Sequence, residues 1–122
     1  MNTRVNYQYR DANNYKRHNE EIISGTITQE QIQQIINTLN DGEYFIPHLV
    51  GFTEIFIGPI TEDDHPYFEL QKEDFEETED SPTIDMTAEK LVSEFQKNKD
   101  NWEVEASDFP YDWLEIKEVE EE

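Results

Sequence analysis

The sequence contains no cysteine, only four glycines and only nine lysines and arginines in 122 residues. Without cysteine there is no disulfide framework, thiolate metal site or thiol nucleophile. The glycines form no phosphate-cradling loop, dinucleotide fingerprint or nucleophile elbow, and the acid run 73–80 lacks the central glycine of an EF-hand. The few cations stand against 30 acids, giving a net charge of −21. That charge disfavours direct binding to nucleic acid or an anionic membrane.

Long apolar runs are also missing. No stretch is long enough to cross a bilayer, and the N-terminal MNTRVNYQYR has no signal-peptide core. We therefore predict a cytoplasmic protein, in the host cell if it is phage-encoded. Leucine, isoleucine, valine and phenylalanine number 29 of 122 residues, or 24 %. This fraction is just above the roughly 20 % below which highly charged chains are usually disordered. We expect one thin-cored domain over residues 1–102 and an acidic segment over 103–122, partly docked and frayed at its end.

Alternation of apolar and polar residues predicts short strands. Residues 3–9 place Val5, Tyr7 and Tyr9 on one face, and residues 15–24 are typical of a returning strand. The intervening RDANN has turn chemistry, so we predict an N-terminal hairpin. Residues 52–57 and 67–70 are further candidate strands.

Two helices are indicated by capping residues and apolar spacing. Thr28 and Gln31 have capping-box spacing ahead of a helix that we expect to end at residues 40–42, with Gly42 as the left-handed cap. Thr87 is expected to cap a second helix over about 88–97, and Trp102 to pack back on the core. Together these elements predict an α+β fold with a small, mainly antiparallel sheet.

The most acidic stretch runs over residues 61–82, where ten carboxylates surround four rings and only Lys72 opposes them. Residues 62–122 hold 23 of the 30 acids against five lysines. A segment this polar needs apolar anchors, and the aromatic residues would supply them. The predicted partner-binding residues are the carboxylates Asp63, Asp64, Glu69, Glu73, Asp74, Glu76, Glu77, Glu79 and Asp80, presented by Tyr67, Phe68 and Phe75.

This acidic surface predicts a basic protein as partner. Alternate residues of a strand lie about 6.7 Å apart on one face. Carboxylates spaced in this way can meet a groove built to follow a phosphate backbone, and electrostatic complementarity gives such contacts their specificity. The plainer interpretation is a solvated face that serves solubility. We predict no catalytic residue, no metal and no cofactor.

One cluster has ligand-like chemistry. Asp63, Asp64 and His65 are consecutive, and His48, Glu43 or His18 could complete a metal or acid–base site through the fold. Three consecutive residues point in different directions, so the Asp-Asp-His-Pro run is better interpreted as a turn. Metal-dependent hydrolysis is therefore a distant alternative.

A local basic patch comprises Arg10, Lys16, Arg17 and His18. It could bind a phosphate or carboxylate ligand. The favoured interpretation is that it neutralises part of the protein's own acidic half, since so many carboxylates need partners. Tyrosines near the patch suit hairpin packing better than nucleic-acid stacking, given the net charge.

Three phrases, YRDANNYK (9–16), DGEYFIPHLVG (41–51) and DDHPYFEL (63–70), resemble those of small uncharacterised acidic proteins of bacteria and mobile elements. In size and charge the chain is similar to DNA-mimic inhibitors of phages and plasmids, including anti-CRISPR proteins. That similarity implies a non-enzymatic anti-defence inhibitor that blocks a partner's nucleic-acid-binding surface. The alternatives are an immunity protein or antitoxin against a basic nuclease toxin, and a structural role in a larger assembly.

Overall fold

A computed structural model of the chain describes residues 1–10, 15–55 and 67–102. They form a five-stranded antiparallel sheet and two helices, which confirms the α+β fold expected from the sequence. The elements in chain order are β1 (Asn2–Arg10), β2 (Lys16–Ile23), α1 (Gln29–Ile36), β3 (Tyr44–Phe45), β4 (Phe68–Glu69), β5 (Phe75–Thr78) and α2 (Ala88–Lys97). Single 3-10 turns lie at Pro47–Val50 and Lys72–Asp74. The predicted hairpin turn and the acidic segment 103–122 fall outside the described residues.

β1 is the centre of the sheet because it pairs on both sides. β2 runs antiparallel along one side for eight residue pairs, which confirms the N-terminal hairpin. Two short strands share the other side: β5 lies against residues 2–5, and β4 lies against Gln8 and Tyr9. β3 then pairs with β4. The acidic stretch therefore forms part of the sheet itself.

The alternation in β1 divides the sheet into two faces. Val5, Tyr7 and Tyr9 are buried beneath the helices, whereas the alternate residues between them are only half-buried. The Phe45 ring packs between Tyr7 and Phe95, with centroid separations of 5.6 and 5.3 Å. Full burial of one such side chain contributes about 1.5–3 kcal/mol. One face is thus the core, and the other is a polar, open face.

α1 begins as predicted and ends earlier than predicted. The Thr28 hydroxyl accepts from Gln31 N–H at 3.1 Å, and the Gln31 side chain accepts from Thr28 N–H at 2.9 Å, which completes the capping box. The helix ends at Ile36. The Thr38 hydroxyl donates a hydrogen bond to the Ile35 carbonyl at 2.7 Å, and the chain turns there. Gly42 has φ 73°, but it belongs to the turn before β3 and is not the helix cap.

α2 has the predicted bounds, and the Thr87 hydroxyl accepts from Lys90 N–H at its start. Leu91 and Phe95 are fully buried. Trp102 packs back as expected: it is 2 % exposed and donates its indole N–H to the Thr38 carbonyl at 2.8 Å. Among the described residues, no helix combines the length and the apolar character that a membrane crossing requires.

Residues 52–55 do not form the predicted strand, and residues 56–57 lie outside the described range. Side chains of β2 replace the missing backbone ladder. The Asn19 amide accepts from Ile55 N–H at 2.8 Å and donates to the Ile55 carbonyl at 3.2 Å. Glu21 accepts from Thr53 N–H at 3.0 Å. We call this contact between β2 and residues 52–55 the seam.

Candidate binding surface

The chain leaves the sheet between β4 and β5 at a tight turn. Gln71 N–H donates to the Asp74 carboxylate at 2.8 Å, and Asp74 N–H donates to the Gln71 carbonyl at 3.0 Å. Because of this reciprocal cap, residues 71–74 do not continue the ladder with β1, and no described strand pairs with Asn6 on that side. Burial raises the pKa of Asp74, against the opposing hydrogen bond from Gln71.

The Glu69 carboxylate is neutralised within the sheet. Arg10 donates to it from two nitrogens, at 2.8 and 3.1 Å, and the Gln8 amide adds a third hydrogen bond at 2.7 Å. These hydrogen bonds, led by that from Arg10, hold the pKa of Glu69 below its usual value. Glu69 is therefore committed to an internal pair and is a poor substitute for a phosphate group.

Arg4 on the open face forms ion pairs with three further carboxylates. Its guanidinium lies 3.5 Å from Glu20 and 3.3 Å from Glu76, and it also bonds the Asp80 carboxylate. Glu76 and Asp80 are more than half exposed, so water screens these pairs. They remain available to a partner at a reduced net charge.

Three of the predicted carboxylates pair with no cation in the described part of the chain. Glu73, Glu77 and Glu79 are exposed, and none of them joins an ion pair within residues 1–10, 15–55 and 67–102. Glu77 lies in β5, while Glu73 and Glu79 flank that strand. We call these three residues the edge acids. Asp63 and Asp64, also predicted to bind a partner, lie outside the described residues.

The aromatic residues of the stretch face inward. Phe68 is 0 % exposed and packs against Tyr7 and Tyr9 with centroid separations of 5.9 and 5.5 Å. Tyr67 and Phe75 are half-buried against the core. Phe68 therefore anchors the strand and cannot itself touch a partner, whereas Tyr67 and Phe75 keep some exposed surface.

Within the basic patch, Arg10 bonds Glu69, which agrees with the interpretation that the patch neutralises the protein's own acids. Lys16 stands opposite Arg10 across the hairpin and also helps to lower the pKa of Glu69. Arg17 and His18 follow on β2 and are exposed.

The described residues contain no group of three or more side chains that could hold a metal ion, so they give the metal hypothesis no support. Asp63, Asp64 and His65 lie outside them. His48 instead pairs with Glu54: the Glu54 carboxylate lies 2.9 Å from the imidazole Nδ1 and accepts from His48 N–H at 2.8 Å. Glu54 is 2 % exposed, and its second oxygen has no hydrogen-bond partner in the described structure. The sequence signal for this buried acid was its isolation within the apolar run GFTEIFIG.

The open face carries a polar groove that the sequence did not predict. It encloses about 760 Å³, and its lining includes Asn6, Gln8, His18, Glu20, Gln71 and Asp74. Cross-strand pairing places Asn6 beside Glu20 and Gln8 beside His18. Asn6 and Gln8 occupy the polar positions of the β1 alternation, and this pattern was the sequence signal that could have indicated a polar surface here. The turn that completes the groove has no comparable sequence signature.

Comparison with known proteins gives no match to a family model, a curated protein or a solved structure. The resemblance of three phrases to small acidic proteins therefore stays a prediction, as does the compositional similarity to DNA-mimic inhibitors.

Proposed function

We propose that the protein is a non-enzymatic binding protein whose acidic edge covers the basic, nucleic-acid-binding surface of a partner protein. The observation that supports this most strongly is that some carboxylates of the acidic stretch are paired with arginines and others are not. Glu69 is neutralised inside the sheet, whereas the edge acids Glu73, Glu77 and Glu79 are exposed and form no ion pair with a described residue.

The edge acids add to the self-repulsion of a chain with a net charge of −21, and a partner's lysines and arginines would relieve it. Pairing of β5 with β1 over residues 2–5 holds the backbone of the edge in place, so less conformational freedom is lost on binding. Exposed charges at such a surface mainly accelerate association and select the correct partner. Fast, salt-sensitive association with a basic protein is the expected behaviour.

The sign of the charge narrows the class of partner. The described residues hold seventeen acids and eight lysines or arginines, a net of −9, and the full chain carries −21. Polyanions are repelled by such a field. A protein surface arranged to bind a polyanion has the complementary field, and this favours a nucleic-acid-binding protein as the partner.

Charged side chains on a sheet edge have another established use, because they prevent edge-to-edge association of strands. That role requires no partner. It predicts that removal of the edge acids causes self-association, while the proposed function predicts loss of a heterologous complex.

The test compares two triple charge reversals as affinity baits. The edge variant changes Glu73, Glu77 and Glu79 to lysine, and the control changes the exposed acids Glu30, Glu43 and Asp100 to lysine. Both variants alter the net charge equally. The wild type and the control should capture the same basic protein at low salt, the edge variant should not, and DNA should compete with the wild type for the captured protein.

Equal capture by the edge variant at low salt would contradict the proposal, and so would a captured protein for which DNA does not compete. Size-exclusion chromatography of the edge variant tests the protective role. The identity of the captured protein separates an anti-defence inhibitor, which would bind a defence protein, from an immunity protein, which would bind a nuclease toxin.

A further inference from the structure

The groove on the open face has a defined floor and two walls. Asn6 and Gln8 of β1 form the floor. β2 contributes one wall through Glu20, and the turn that ends at Asp74 contributes the other. The enclosed volume of about 760 Å³ is ample for a single long side chain.

The amide groups of the floor already donate hydrogen bonds inside the protein. The Asn6 NH₂ group donates to the Asp74 carbonyl at 3.3 Å and to the Glu76 carboxylate at 3.4 Å. The Gln8 NH₂ group donates to Glu69 at 2.7 Å. No described residue donates to the amide oxygens of Asn6 or Gln8, so the floor offers acceptors and few donors.

The walls add carboxylate oxygens. Asp74 accepts from Gln71 N–H through one oxygen, and its other oxygen has no donor among the described residues. Glu20 faces the groove from the opposite side, with Arg4 at 3.5 Å as its described cation. Partial burial disfavours the charged form of Asp74, so a bound cation would lower the pKa that burial has raised. His18, Gln71 and the Arg10-paired Glu69 also line the groove. The acceptors left open on Asn6, Gln8, Glu20 and Asp74 match a positively charged group that carries several N–H donors.

We propose that this groove receives an arginine side chain from the partner protein. A guanidinium is planar and permanently charged, and its five N–H donors can bond several acceptors at once. An ammonium has three donors about one point and fits such spread acceptors less well. The inference deepens the proposed function and rests on it, because the arginine belongs to the basic surface that the edge acids would cover.

The direct test uses N-acetyl-arginine amide as the probe and follows the side-chain amide signals of Asn6 and Gln8 by NMR. The neutral isostere N-acetyl-citrulline amide and the cation N-acetyl-lysine amide are the controls. We expect saturable shifts of both amide signals with the arginine probe, no saturable shift with citrulline, and clearly weaker binding of lysine. Equal binding of citrulline or of lysine would overturn the assignment to arginine, and so would no shift with arginine.

Variants locate the probe in the groove. Asp74→Asn keeps an oxygen for the cap with Gln71 and removes one charge, and it should weaken the arginine probe about tenfold, the effect of one charge-assisted contact. Asp100→Asn removes an equal charge outside both the groove lining and the edge acids, and it should leave binding unchanged. Equal weakening by both variants would mean a diffuse charge effect and would overturn the site. Thermal unfolding of Asp74→Asn checks its fold, and Glu20→Gln is the second groove variant if that fold is lost.

The two proposals can fail separately. If the arginine probe binds the groove while the edge variant still captures the partner, the proposed function fails and the groove stands. If the edge variant loses the partner while the arginine probe shifts no amide signal, the acidic edge stands and the groove inference fails.

Discussion

The seam beside β2 and the outer edge at β5 use the same kind of side chain in opposite ways. At the seam, Glu21 is 4 % exposed and accepts from Thr53 N–H, the Thr53 hydroxyl and the Thr83 hydroxyl. At the edge, Glu77 and Glu79 are exposed and pair with no described cation. A buried carboxylate persists only when hydrogen bonds replace its water. The acid at the seam is thus a structural acceptor, and those at the edge are free to meet a partner.

Glu69 lies between these extremes, because it is partly buried and paired with Arg10. The three environments predict a graded response to removal of charge. The largest loss of stability is expected at the seam, a smaller one at Glu69, and almost none at the edge.

Glu21→Gln should cause the largest effect, a loss of about 2–4 kcal/mol in the free energy of unfolding. The carboxylate accepts three hydrogen bonds, two of them through one oxygen. An amide has one accepting oxygen, so its NH₂ group must face the Thr53 groups or the Thr83 hydroxyl. Chemical denaturation measures the change.

The control for Glu21 is Glu43→Gln, an exposed acid whose replacement should change stability by less than about 0.5 kcal/mol. If both substitutions behave alike, the distinction between seam and edge is lost.

Glu69→Gln should have an intermediate effect, about 1 kcal/mol or less at neutral pH, because the pair with Arg10 is partly solvated. The folded-state pKa of Glu69 is lowered from 4.5. Its contribution is therefore fully present above that value and is lost as the pH falls through the folded pKa. The variant should show a flatter decline of stability in acid than the wild type, measured by thermal unfolding across that range.

Asp74→Asn gives the opposite sign and serves as the comparison for Glu69. Because burial raises the pKa of Asp74 from 3.8, the folded state binds the proton more tightly than the unfolded state. The cost of the charged form is present above the raised pKa and disappears as the pH falls through it. The variant should therefore decline more steeply in acid than the wild type. Parallel curves for both variants would contradict the two assigned directions.

Replacement of the three edge acids by glutamine should have the smallest effect on folding, within about 0.5 kcal/mol for each residue and in the stabilising direction. Relief of mutual repulsion is the reason, so the gain should be larger at low salt than at high salt. Thermal unfolding at two salt concentrations measures it. A clear loss of stability in this triple variant would show that the edge acids have internal partners after all.

Local patterns predicted those elements whose residues are neighbours in the sequence. The hairpin followed from the alternation at Val5, Tyr7 and Tyr9, and both helix starts followed from Thr28 and Thr87. β5 could not be predicted in this way, since FEET is polar and pairs with β1 residues that lie 70 to 76 positions earlier. The strand predicted over 52–57 was wrong for residues 52–55, where Asn19 and Glu21 bond the backbone through their side chains.

The sequence by itself determined the charge, its concentration after residue 61 and the positions of the helix caps, because these depend on composition and on near neighbours. Only the tertiary structure decided which carboxylates are neutralised. Arg4 and Asp80 are 76 residues apart, and Arg10 and Glu69 are 59 apart, yet β1 brings each pair into contact. Ion pairing depends on distance in space, which the pairing of strands sets. The edge acids form a distinct surface because the folded sheet pairs the neighbouring carboxylates Glu69, Glu76 and Asp80 with arginines of β1.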